Sequence, residues 1–97
     1  MKPDIFPELL QRFFTDYLAA QRNLSAHTRI GYRNTFRLLL RFLAQHHRRT
    51  IDQLTLAAFT PEAVLAFLAY LERARGNTIR TRNVRLAAIR TFVRFVL

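Results

Sequence analysis

The sequence predicts an all-α fold, a four-helix bundle, and three observations carry that expectation. Glycine and proline are rare, two and three in 97 residues. β-Branched runs are short, and large apolar residues return at three-to-four spacing along most of the chain, the period of a helix face rather than of a strand. A chain of this length suffices for one core and not for a second beside it, so residues 1–97 are expected to form a single domain. With 51% of residues hydrophobic, nine of them Phe, disorder is excluded on composition.

The first helix is expected to follow Pro7, a residue suited to a first turn, and to end near Arg22. Leu9, Leu10, Phe13, Phe14, Tyr17 and Leu18 share its core face. The second opens at "NLSAHT", where the Ser25 hydroxyl can accept from a backbone N–H two or three residues on. Tyr32, Phe36, Leu39, Leu40, Phe42 and Leu43 form its apolar arc, while Arg29, Arg33, Arg37 and Arg41 form an i, i+4 row along a flank. Like charges at that spacing destabilise an isolated helix by a few tenths of a kcal/mol per pair, so the row calls for negative charge from outside the domain.

The longest connection, "QHHRRTIDQLTLAAFT", offers Leu54, Leu56 and Phe59 as core anchors around a short helical turn. The third helix starts at "TPEA", with Thr60 as cap, Pro61 in first position and Glu62 at the positive end of the dipole. Val64, Leu65, Phe67, Leu68 and Leu71 are its expected core residues, and no basic residue precedes Arg73. Gly76 ends it, and Asn77 or Thr78 caps the last helix. There Leu86, Ile89, Phe92, Val93 and Val96 make the core stripe, with Arg82 near the apolar arc. Asn83, Ala87, Arg90 and Arg94 make a polar stripe that Arg80 extends towards the start.

Charge narrows the function. Sixteen basic residues stand against six acidic ones, a net charge of +10, and a domain this basic usually has a polyanion as partner. Lys2 is the one lysine; the other basic residues are arginines, whose planar fork suits phosphates and guanine edges. A single arginine row could be a solvated face. Two rows on separate helices favour nucleic acid, and one small residue, one amide and three guanidiniums on one face suit a helix laid close to a groove.

Other chemistries find little support. Cysteine is absent, which leaves no disulfide framework or thiolate metal site and fits a reducing compartment. Asp4, Glu8, Asp16, Asp52, Glu62 and Glu72 show no paired spacing. Ser25 and His27 have no orienting acid nearby, and adjacent His46 and His47 do not face one point on a helix, so neither a catalytic site nor a metal site is expected. No glycine-rich phosphate loop, apolar run of ~20 residues or signal-peptide pattern is present. The expectation is a soluble intracellular protein with no cofactor, no small-molecule substrate and no membrane. Tyr32 admits two readings, a core aromatic or a phosphate contact; Thr28, one turn earlier, could present a second hydroxyl where the helix dipole favours an anion.

"SAHTRIGYRNTFRLLLRFL" and "TRNVRLAAIRTFVRF" resemble two helices of the N-terminal, SAM-like core-binding domain of tyrosine recombinases, the phage-integrase-like family. They match its Ser-x-x-Thr-x-x-x-Tyr and Thr-x-Asn-x-Arg-Leu-x-Ala-Ile-Arg-x-Phe patterns. "LAAFTPEAVLAFLAYL" is similar to its third helix, and the likeness runs from about Leu9 to Leu97. The resemblance implies a SAM-like core-binding bundle that holds double-stranded DNA as half of a clamp, the other half being a C-terminal catalytic domain absent from these residues. It implies bacterial or phage cytoplasm and a parent that assembles as a multimer on DNA during integration or site-specific recombination. It places Thr28 and Tyr32 near phosphates and Asn83, Arg85 and Arg90 in the DNA-facing segment, although the helical wheel sets Arg85 nearer the core. With Arg29, Arg33, Arg37, Arg41, Arg80 and Arg94 these are the DNA-binding candidates, and no residue here is expected to be catalytic. Tyr17, Tyr32 and Tyr70 fall in core-type patterns. The competing readings are a stand-alone helix-turn-helix regulator, which the long connection after His47 argues against, and an oligomerisation module using "FVRFVL" as a sticky surface.

Overall fold

The computed structural model describes residues 5–21, 23–76 and 78–96. Helix α1, Phe6–Arg12, runs on into a π-helical turn, Phe13–Leu18. The helix begins at Phe6, before Pro7, because a proline in the first turn lacks only an N–H that would have had no helical partner. The Phe6 N–H donates instead to the Leu54 carbonyl at 2.9 Å, tying the chain start to the middle connection. Helical structure ends at Leu18, short of the expected boundary near Arg22, which lies outside the described residues. Within this segment the Thr15 hydroxyl donates to the Gln11 carbonyl at 2.9 Å, the same bond to the residue four back that Thr35 and Thr91 make in regular α-helix.

Helix α2, Ala26–His47, is capped as expected: the Thr28 N–H donates to Ser25 Oγ at 3.1 Å. It stops where Arg48 turns into the left-handed region, φ 54°. The connection that follows holds two short 3-10 turns, Ile51–Gln53 and Leu56–Ala58, with Leu54 buried between them and Leu56 and Phe59 half-buried. Helix α3, Pro61–Arg75, has the Ala63 N–H donating to Thr60 Oγ1 at 3.1 Å and ends at Gly76, φ 58°, where a side chain would be strained. Helix α4, Ile79–Val96, starts with the Thr81 N–H donating to Thr78 Oγ1 at 3.2 Å; Asn77, the other capping candidate, lies outside the described residues.

The core converges on Phe92. Its ring lies 5.5 Å from Phe6, 5.4 Å from Phe13, 5.4 Å from Phe36 and 5.6 Å from Phe59, between centroids. One α4 side chain thus joins α1, its π turn, α2 and the middle connection. Phe95 packs on Phe13 and Tyr17 at 5.5 Å from each, and Phe67 brings in α3 through Phe42 at 5.7 Å.

Several expected core positions lie elsewhere. Leu65 is 66% exposed, because α3 turns Ala63, Phe67, Leu68 and Leu71 inward. Leu65 instead lines an open apolar groove of about 540 Å³ with Val64, Phe59, Val93 and Val96. Small Ala63 lets α3 approach, and a helix apolar on nearly every side does not reveal its inner face by period. On α4 the buried centre is Ala88, Ile89 and Phe92, with Leu86, Val93 and Val96 half-buried. Tyr70 is exposed beside Phe42, and Arg82 is exposed and pairs with Glu72 at 3.1 Å rather than lying near the apolar arc.

Phe92→Ala should cost about 3–5 kcal/mol of unfolding free energy in a denaturant titration, from the cavity it leaves and the ring contacts it removes. Leu65→Ser should change stability by about 0.5 kcal/mol or less. Equal losses from the two variants would show that this assignment of the core is wrong.

Candidate nucleic-acid interface

On α2 the long arginines Arg33, Arg37 and Arg41 are exposed. They border a groove of about 380 Å³ towards α1, floored by Leu10, Phe14, Phe36 and Leu40. Arg29, the first of the row, turns back so that its guanidinium donates to the Gln21 carbonyl at 3.3 Å. On α4, Arg80, Asn83, Ala87, Arg90 and Arg94 are all exposed. Among the described residues the one ion pair is Arg82 with Glu72, so no carboxylate of those residues neutralises either row. Neither α2 nor α4 has an acidic residue in its first turn to offset the positive end of its dipole.

The other candidates sit deeper. Tyr32 is buried, 8% exposed, with its ring in the core. Thr28 is half-buried, and its hydroxyl is paired with that of Ser25 at 2.9 Å. Arg85 reaches across from α4 to α2. Its NH1 donates to Thr35 Oγ1 at 3.0 Å and to the Gly31 carbonyl at 3.4 Å, while the fully buried Thr35 hydroxyl donates to the same carbonyl at 2.8 Å. Burial, and then the charge of Arg75, lower the Arg85 pKa from its ordinary value. Its Nε is buried without a hydrogen-bond partner among the described residues.

The Arg85 bridge marks the crossing of α2 and α4. A Cβ on Gly31 would stand 3.5 Å from Val84 Cγ1, ordinary contact, so the Val84 side chain covers the Gly31 backbone there. Outside the crossing lies a cleft of about 220 Å³ lined by His27, Ile30 and Asn34 of α2 and Thr81 and Val84 of α4, with Gly31 and Arg85 beneath. Sequence reasoning weighed His27 only as a partner of Ser25 and passed over the other four. The available signal was that Ile30 and Val84 are β-branched apolar residues off their helices' core stripes, on the sides that carry polar and basic groups.

Among the described residues no group of three or more His, Cys, Asp or Glu could hold a metal ion, and Asp4 lies outside them. His46 stacks on Phe42 at 5.5 Å, at the edge of the apolar packing. Among the same residues no helix is long and apolar enough to cross a membrane.

Residues 11–97 match the family model of the phage integrase N-terminal SAM-like domain. The chain belongs to that family. Two Sinorhizobium fredii proteins designated integrase/recombinase are similar to this integrase domain. The protein y4rD is 43% identical over 88 residues, covering 91% of this chain and 31% of the relative. The protein y4rC is 40% identical over 87 residues, covering 90% of this chain and 26% of the relative. The chain therefore spans a third or less of the length of the curated relatives it matches. No solved structure matches it. The all-α SAM-like bundle expected from the sequence is the fold observed, with α2 and α4 as the arginine-bearing helices.

The Arg85 bridge makes a measurable coupling. A double-mutant cycle on Arg85→Ala and Thr35→Val should give an interaction energy of about 0.5–3 kcal/mol in unfolding free energy. The exposed pair, tested by Arg82→Ala and Glu72→Ala, should give about 1 kcal/mol or less. Additive single changes at Arg85 and Thr35 would mean that the bridge does not hold α2 to α4.

Proposed function

We propose that this integrase domain grips duplex DNA for a longer tyrosine recombinase and performs no cleavage itself. The observation that carries the reading is the pair of exposed arginine rows, on two helices that cross, with no carboxylate of the described chain neutralising them. Arg33, Arg37 and Arg41 on α2 and Arg80, Arg90 and Arg94 on α4 would neutralise phosphates. The released counterions would supply most of the affinity. Asn83 and exposed, small Ala87 would let α4 lie close to a groove, and Thr28 would approach a phosphate near the start of α2. Arg29 could join after releasing the Gln21 carbonyl; Tyr32 and Arg85 would act mainly by shaping α2 and α4 from within.

Strand cleavage would fall to a catalytic domain elsewhere in the parent protein, with residues 1–97 as its single core-binding domain. The packing of the tyrosines supports that division: Tyr32 is in the core, Tyr17 packs on Phe13 and Phe95, and Tyr70 stands on α3, which has no basic residue before Arg73. DNA recombination in bacterial or phage cytoplasm, by protomers assembled on DNA, is the setting the family suggests. Helix α3 ends at Arg75 and α4 begins at Ile79, a sequence spacing that a helix-turn-helix regulator would also allow, but membership of the integrase family favours the recombinase reading. The sticky-surface alternative is weakened because Phe92 is fully buried and Phe95 is half-buried.

Affinity for a mixed-sequence duplex of ~15 to 20 base pairs should fall steeply between low and physiological salt. Arg37→Ala and Arg90→Ala should each weaken binding and reduce the log–log salt slope by about 1, without changing the melting temperature. Fluorescence anisotropy across a salt series checks both. Salt-independent binding, or full binding by the double variant, would overturn the proposal.

A further inference from the structure

The cleft outside the α2–α4 crossing carries chemistry that phosphate binding does not need. Ile30 is 54% exposed and Val84 is 40% exposed, and both face the same small depression. Single exposed aliphatic residues are ordinary on a protein surface. Two converging from different helices, on a domain of net charge +10, are better matched to a ligand that is anionic outside and partly apolar within. Phosphate oxygens leave methyl groups uncovered. The major-groove edge of an A·T pair does not, because thymine presents its C5-methyl group there.

Asn34 supplies the polar half of the match. It lies one helical turn beyond Ile30 and is exposed on the same cleft. A side-chain amide can pair bidentately with N6 and N7 of adenine, and side chains four residues apart on a helix stand about 5–6 Å apart, within reach of neighbouring bases. Arg85, the guanidinium in the cleft, already donates through NH1 to Thr35 and Gly31, and its Nε is buried, so it is poorly placed to fork onto guanine.

We infer that the α2–α4 cleft reads A·T pairs in the major groove, with Ile30 and Val84 against thymine methyl groups and Asn34 on adenine. The inference rests on the DNA-binding reading above and deepens it by naming residues that specify sequence. Charge complementarity selects DNA as occupant: the cleft is formed by the same two helices that carry the exposed arginine rows, on a domain of net charge +10.

Three alternating duplex polymers test it: poly(dA-dT), poly(dA-dU), which lacks only the thymine methyl groups, and poly(dG-dC). The intact domain should bind poly(dA-dT) about fourfold or more tighter than poly(dA-dU), the loss expected on uncovering a methyl-sized group. Ile30→Ala with Val84→Ala should bring that ratio close to one while leaving the melting temperature and the salt slope on poly(dG-dC) unchanged. The variant comparison removes any difference in shape between the polymers. Asn34→Ala should weaken poly(dA-dT) binding about tenfold, with little effect on poly(dG-dC). A thymine-to-uracil ratio near one in the intact domain, or one that survives in the variant, overturns the inference. If salt-dependent binding to all three polymers persists in that case, the DNA-binding reading stands. Failure to bind any polymer overturns both. Self-association abolished by Ile30→Ala, without thymine discrimination, would assign the patch to a protein contact and overturn the inference.

Discussion

The bundle depends on the placement of one ring. Phe92 is fully buried and touches aromatic neighbours from α1, the π turn, α2 and the middle connection. Aromatic pairs at these separations contribute about 0.5–1.5 kcal/mol each beyond the area they bury, so they matter in a domain of this size. They also fix position. Phe36 and Phe92 bring the inner faces of α2 and α4 together, and in doing so aim the arginine rows outward. The surface proposed to face DNA is thus set by a contact that no ligand would touch.

The Arg85 bridge supplies direction where the aromatic packing supplies proximity. Apolar side chains tolerate sliding and small rotations, but a guanidinium held by Thr35 Oγ1 and the Gly31 carbonyl fixes a register between α2 and α4. Burial costs that cation part of its hydration, as its lowered pKa reflects, and its Nε has no protein partner among the described residues. A partly buried charge is weak evidence for stability in itself; what these bonds add is geometry, since they form in one arrangement of α2 against α4. Here that arrangement is the crossing from which the two arginine rows diverge.

Much of this was legible in the sequence. The caps at Ser25 and Thr60 and the stop at Gly76 were readable because each follows from local chemistry: a hydroxyl two or three residues before an orphan N–H, or a residue that tolerates positive φ. The outward course of Arg33, Arg37 and Arg41 was readable from period alone. Leu65 was not, because α3 offers apolar residues on several sides and the choice among them depends on which neighbour packs closest. The π turn was hidden because no residue type marks it: Thr15 makes the same bond to the carbonyl four residues back that Thr35 and Thr91 make in regular α-helix. The cleft residues Ile30, Asn34 and Val84 became a group only through the crossing of helices far apart in sequence.

The arginines show how environment divides the work of one residue type. Arg82 neutralises a carboxylate, Arg29 returns to a backbone carbonyl, and Arg85 bridges two helices. None of these roles follows from charge, and all three reduce the number of guanidiniums free for a polyanion. The exposed members of the two rows have no such carboxylate partner among the described residues. Their mutual repulsion disfavours the isolated domain, and a duplex laid against them would relieve it. The same charges that weaken the free state would then favour the bound one, while Ile30, Asn34 and Val84 in the α2–α4 cleft would contribute what repulsion relief cannot: a preference among sequences that carry identical phosphates.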